Sequence, residues 1–205
     1  MHISLLGATG RVGSHILAYA LQDGHHVTAL VRSTEKIQSH PNLNVIQGDV
    51  LHSEELVRAV HGTEAVISSL NTDGTTTLSE SMPLIMEAMY HEGIQRIITV
   101  GTAGILQSRT EPGKLRYQSS ESKRRSTRAA EEHERVYRLL EQSSLEWTIV
   151  CPTYLPDGGR MGSYRVERDL LPEGGTEISV GDTAAFTYDQ LINRQYINTR
   201  VGIAY

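Results

Sequence analysis

Short apolar runs alternate with amphipathic stretches along most of this 205-residue chain. His2-Ile3-Ser4-Leu5-Leu6, His26 to Val31, Asn44 to Gly48, Ala65 to Ser69, Arg96 to Val100 and Glu146 to Cys151 each have the length and side chains of a buried strand. Between them, apolar positions recur at helical spacing. In Val12 to Gln22, the residues Ile16, Leu17, Ala20 and Leu21 share one face, and Gly24 follows as a left-handed terminator. Ser53 with Glu54 and Glu55 predicts an N-cap and first-turn acids for a short helix finishing at Gly62. Leu78 to His91 predicts another helix, in which Pro83 demands a kink or a late start. Helix following strand in this way marks βαβ units. The predicted fold class is therefore α/β, a Rossmann-type doubly wound, mostly parallel sheet flanked by helices on both faces. No Pro/Gly/Ser-rich linker divides the chain, so one domain over residues 1–205 is expected.

The rhythm breaks at Gly104 to Ser126, a polar, charged stretch that reads either as disorder or as a lid or binding loop. A long helix, Thr127 to Gln142, precedes the strand at Glu146. Pro152 to Gly159 then reads as turn rather than strand, because prolines cannot serve a central ladder. A short strand at Glu177 to Val180, a helix from Thr183 to Asn193 and a strand around Tyr196 to Gly202 complete the pattern.

Composition narrows the class. With 39% hydrophobic and 21% charged residues, the chain can bury a large core. No apolar run approaches the ~20 residues of a membrane span, and Ile3 lacks the basic flank of a signal peptide. A cytoplasmic protein, monomer or homodimer, with no membrane partner is expected. The single cysteine, Cys151, excludes an intrachain disulfide and reads as a small buried hydrophobe. A net charge of −5 argues against nucleic acid as a partner. The run Lys123-Arg124-Arg125 with Arg128 reads as a solvated helix start or as an anchor for an acidic substrate. No metal site is predicted.

The candidate chemistry begins at Gly7-Ala8-Thr9-Gly10-Arg11-Val12-Gly13, placed between the first strand and the first helix. Such glycines permit a sharp turn, close approach of backbone N–H groups to phosphate oxygens, and tight helix–strand packing. The positive end of the helix dipole then faces the anion. Gly7, Thr9, Gly10, Arg11, Val12 and Gly13 are thus the predicted pyrophosphate cradle. About twenty residues further on, where NAD-binding chains place an acid for the ribose hydroxyls, this chain has Arg32. A guanidinium there suits a 2′-phosphate, which favours NADPH (NADP) over NADH (NAD). Ser33, Thr34 and Lys36 add donors, and Glu35 opposes them. Asp49 and Val50 end the third strand, where Asp49 either accepts from an adenine amine or caps the turn. Ser69, Leu70, Thr102, Pro152 and Tyr154 follow the carboxyl ends of later strands, which open onto one crevice. Tyr154 packs on a nicotinamide face or serves only structure.

These residues, together with Val31-Arg32, Gly48-Asp49, Thr102-Ala103-Gly104 and the run from Glu131-Glu132-His133 through Trp147 to Pro152, resemble a family. The chain is similar over essentially its whole length to the atypical short-chain dehydrogenase/reductases with an NAD(P)H-binding domain. Within them it resembles the flavin reductase/biliverdin-IXβ reductase type and the NmrA-like proteins. Most short-chain dehydrogenases activate a tyrosine with a lysine four residues later. Here Tyr117 is followed at that spacing by Glu121, Tyr137 by Glu141 and Tyr164 by Arg168. The flavin/biliverdin reductase type also lacks the pair, and the resemblance implies catalytic roles for Thr102 and His133. The Thr102 hydroxyl would bond substrate or nicotinamide, and His133, titrating near neutrality, would hold or relay a proton. Against this, a histidine between Glu132 and Glu134 also reads as a solvated helix residue. The resemblance implies NADPH-dependent hydride transfer to a small conjugated substrate such as a flavin, quinone or tetrapyrrole. Its alternatives are a non-catalytic NADP-sensing regulator and an NAD-dependent epimerase or dehydratase.

Overall fold

Neighbouring residues of the first strand, β1 (His2–Leu6), bury into opposite cores, Leu5 on one face of the sheet and Leu6 on the other. The computed structural model describes residues 1–122 and 126–205, so the predicted basic run at 123–125 lies outside the described residues. From β1 the chain passes through α1 (Arg11–Gln22), β2 (His26–Val31), β3 (Leu43–Gln47), α2 (Ser53–Val60), β4 (Ala65–Ser68), α3 (Thr77–His91) and β5 (Arg96–Val100). Two short 3₁₀ turns, Ala103–Ile105 and Arg116–Gln118, precede α4 (Arg128–Glu141). There follow β6 (Glu146–Pro152), β7 (Arg165–Arg168), α5 (Val180–Asp189) and β8 (Thr199–Ala204). The strand order is β3-β2-β1-β4-β5-β6-β8-β7, and every pairing is parallel except β7 with β8. Ile16 of α1 and Ala184 of α5 cover one face with Ile3, Ile67 and Ile98. Leu56, Ile85 and Leu140 from α2, α3 and α4 cover the other with Val66 and Ile97. This is the doubly wound sheet the alternation predicts.

Several local expectations are corrected. Ser53 is the first helical residue of α2 and His52 occupies the cap, because the Glu55 carboxylate reaches back to the Asp49 N–H and the His52 ring. In α3 the helix starts at Thr77 and runs through Pro83, so the late start does not occur. Residues 104–122 are not structureless. Ile105, Leu106 and Leu115 are buried there, and Gln107 and Leu115 form an antiparallel bridge. Pro152 is the last residue of β6 and not part of the turn. The Val150 carbonyl accepts from the Gly101 N–H on the β5 side, so two residues on Pro152 faces that same side, beyond the end of β5. The expected strand at Glu177 to Val180 shrinks to one bridge between Tyr154 and Glu177. Ser179 instead caps α5, accepting from the Asp182 N–H at 3.0 Å, and the helix starts at Val180. The edge strand β7 was not expected; its ends, Arg165 and Arg168, are exposed and carry no apolar run. Cys151 is fully buried, which pushes its thiol up to about 12.

Candidate functional site

The turn after β1 is built by close contact. Gly7 has φ +86°, and a Cβ there would stand 2.8 Å from the Ser69 carbonyl oxygen. A Cβ on Gly13 would stand 2.1 Å from the Gly7 carbonyl oxygen, so only glycine allows α1 to sit this close to the turn. Ser69 locks the arrangement: its hydroxyl donates to the carbonyls of Leu6 at 3.1 Å and Gly7 at 3.2 Å. Gly10 differs from the other two. Its backbone is extended, and a Cβ would meet the Gly7 oxygen at 3.2 Å and otherwise only the Ser69 oxygen at 4.0 Å. No side chain caps α1 and no acid occupies its first turn. The unpaired first-turn N–H groups and the absence of a side chain at Gly10, which lines a crevice above the turn, therefore fit a pyrophosphate.

This turn floors a crevice of about 550 Å³ at the point where the strand order reverses between β1 and β4. Gly7, Thr9, Gly10, Arg11 and Val12 line its middle. Arg32, Lys36, Asp49 and Val50 line the side under β2 and β3, and Leu70, Val100, Gly101 and His133 line the opposite side. Of the predicted residues, Gly13, Thr102, Pro152 and Tyr154 stand outside the lining, whereas Ser69 is within it. Gly13 packs helix on turn, and Pro152 is enclosed in β6. The Thr102 oxygen accepts from the Gly104 N–H at 3.3 Å, capping the first 3₁₀ turn, and Tyr154 is 59% exposed. Asp49 lines the crevice and also caps its own turn, its Oδ1 accepting from the Leu51 N–H at 3.0 Å.

Ion pairs cross the rim. Arg11 donates from Nε to Asp157 Oδ1 at 2.7 Å and from Nη2 to the Leu155 carbonyl at 2.8 Å, tying the start of α1 to the loop after β6. Arg32 lies 3.5 Å from Asp73 Oδ2. Asp73, Thr77 and Leu155 line the crevice and were missed from sequence; each belongs to a loop or helix start distant in the chain from the glycines, and no motif marks it.

His133 is half-buried on the crevice wall rather than solvated. Desolvation lowers its pKa to about 4 against a weaker opposing pull from Glu132, so it is neutral at pH 7. This corrects the expectation of titration near neutrality. Beside it Glu132 is 1% exposed, accepts from the Ser79 N–H at 3.2 Å and pairs with Arg135, joining α4 to the start of α3. Tyr117, Tyr137 and Tyr164 offer no activated phenol. Tyr117 donates to Glu134 and Tyr137 to Glu141. Burial raises Tyr117 and Tyr164 and pushes Tyr137 up to about 12. Among the described residues no helix is long and apolar enough to cross a membrane, and no group of three metal-ligating side chains is present.

Residues 7–194 match the family described as NAD(P)H-binding. The uncharacterised protein YwnB of Bacillus subtilis is 27% identical over 99% of this chain and 98% of its own. A Bacteroides thetaiotaomicron protein described as a candidate epimerase is 31% identical, with TM-score 0.86 over 100% of this chain and 96% of the other. A Streptococcus pneumoniae protein described as a candidate NADH-flavin reductase is 26% identical, with TM-score 0.85 over 100% and 99%. With the glycine turn at the switch point of a doubly wound, Rossmann-type sheet, the match is consistent with the geometry: the chain belongs to the NAD(P)H-binding family.

Proposed function

We propose that the protein is an NADPH-dependent reductase acting on a flat conjugated acceptor such as a flavin, a quinone or a linear tetrapyrrole. The observation that carries this reading is the charge arrangement along the crevice: Arg32 and Lys36 at one end, neutral His133 at the other. The first-turn N–H groups of α1 hold the pyrophosphate, Arg32 and Lys36 take the 2′-phosphate, and Val50 packs beneath the adenosine. Leu70 and Gly101 would flank the nicotinamide, which when bound would supply the hydride. His133, uncharged, orients an acceptor through a hydrogen bond and leaves the compensating proton to water. Thr102 spends its oxygen on Gly104 and keeps its O–H free to donate. A conjugated acceptor of this kind needs stacking and exclusion of water more than a strong acid.

The test is NADPH and NADH oxidation followed at constant pH with FMN, FAD, a quinone and biliverdin. Turnover with at least one acceptor, faster with NADPH, is expected. Tight NADP binding with no turnover would instead support a cofactor-sensing regulator. The likeness to the Bacteroides protein favours an epimerase as the second reading, and NAD retained through purification would support it.

A further inference from the structure

The loop between β4 and α3 offers a carboxylate to the same guanidinium that the cofactor reading gives to the 2′-phosphate. The Thr75 N–H and hydroxyl both donate to the Thr72 carbonyl, at 2.7 and 2.8 Å. Between them Asp73 and Gly74 have φ of 47° and 70°, positive at both central positions as in a type I′ turn. Asp73 thus stands at the tip of a tight, internally bonded turn, with Oδ2 3.5 Å from Arg32. Arg32 follows β2 and Asp73 follows β4, the two strands that flank β1. The pair therefore spans the crevice above the strand that carries the glycine turn, and both residues line it.

We infer that Asp73 is a specificity-determining residue, which competes with the 2′-phosphate of NADPH for Arg32. The inference rests on the 2′-phosphate reading above. A phosphate brought to Arg32 meets the Asp73 carboxylate on the same cation, so like charges repel and part of the attraction is cancelled. NADH brings a hydroxyl to this place, which leaves the pair intact and finds in Asp73 an acceptor. Asp73 therefore narrows a discrimination that Arg32 alone would make wider.

Calorimetric titration of NADPH, NADH and 2′,5′-ADP into wild-type protein, D73N, R32A and the double variant tests this. Asn keeps the left-handed backbone that Asp73 adopts. D73N is expected to bind NADPH and 2′,5′-ADP about two- to fivefold more tightly, the scale of an exposed ion pair, with NADH unchanged or weaker. The gain should shrink in the R32A background and in high salt. If R32A is selective for NADPH but D73N leaves the NADPH-to-NADH ratio unchanged, the role of Asp73 is overturned while the 2′-phosphate reading stands. If R32A weakens both nucleotides equally, or neither nucleotide binds the wild-type protein, both fall.

Discussion

The floor and the rim of the crevice are made of different material. The floor is backbone: Gly7 and Gly13 in contact too close for a Cβ, with the Ser69 hydroxyl holding two carbonyls of the turn. The rim is exposed side chains in ion pairs, Arg11 with Asp157 at 56% and 88% exposure and Arg32 with Asp73 at 78% and 52%. Backbone contacts in the floor are fixed by folding and cannot be tuned without cost to the fold. Exposed pairs on the rim contribute little to stability and can be exchanged freely. On the proposed reading, the capacity to hold a dinucleotide resides in the floor, and the choice between dinucleotides in the rim.

The sharpest way to break this contrast is within the floor itself. Gly13→Ala places a methyl 2.1 Å from the Gly7 oxygen and should lower stability by ~3 kcal/mol or more, read by urea unfolding. A loss below about 1 kcal/mol would show that the turn can yield. Gly10→Val, three residues earlier, should cost less stability than Gly13→Ala, because its Cβ meets the Gly7 oxygen at 3.2 Å rather than 2.1 Å. Its side chain enters the crevice that Gly10 lines, so titration should show loss of both NADPH and NADH. On the rim, Arg32→Ala should weaken NADPH by ~1.5–3 kcal/mol and NADH far less, with stability unmoved. Equal losses would remove the 2′-phosphate role.

The smallest expected effect concerns pH. His133 has a folded pKa of about 4, below the ~6.5 of an exposed histidine. As pH falls through that interval the unfolded chain takes up the proton first. Stability therefore declines from pH 6.5 down to pH 4 and levels off below. H133Q should flatten this part of the melting-temperature profile, a difference of at most ~2 kcal/mol given partial exposure. Parallel profiles for the two proteins would show that the site is wetter than its position on the crevice wall indicates.

Much of the floor was legible in the sequence because its signals are local. Gly7, Gly10 and Gly13 follow β1 directly, the apolar runs give β1 and β2, and the helical spacing of Ile16, Leu17, Ala20 and Leu21 gives α1. The rim was legible only on one side of each pair. Arg32 announces itself by its distance from the glycines, but its partner Asp73 reaches it through the pairing of β1 with both β2 and β4. His133 was open to misreading because its neighbours are glutamates. Yet Glu132, Val136 and Leu140 form a buried stripe at helical spacing, and Glu132 lies on it by accepting an N–H from α3. Polarity alone hides a carboxylate that is buried to serve another helix. Likewise Pro152 was excluded from β6 on a rule that holds for residues flanked by ladders on both sides, which it is not.

The Ser69 lock bears on what a nucleotide loses when it binds. With Gly10 N–H on the Gly7 carbonyl and the Ser69 N–H and hydroxyl on the end of β1, the turn is already ordered before any ligand arrives. A slack glycine loop would surrender about 1–2 kcal/mol of backbone entropy for each residue it fixed at every encounter. Here that entropy was lost once, during folding. Association at the floor is therefore a docking onto a finished surface, and whatever slow ordering accompanies it must come from the rim.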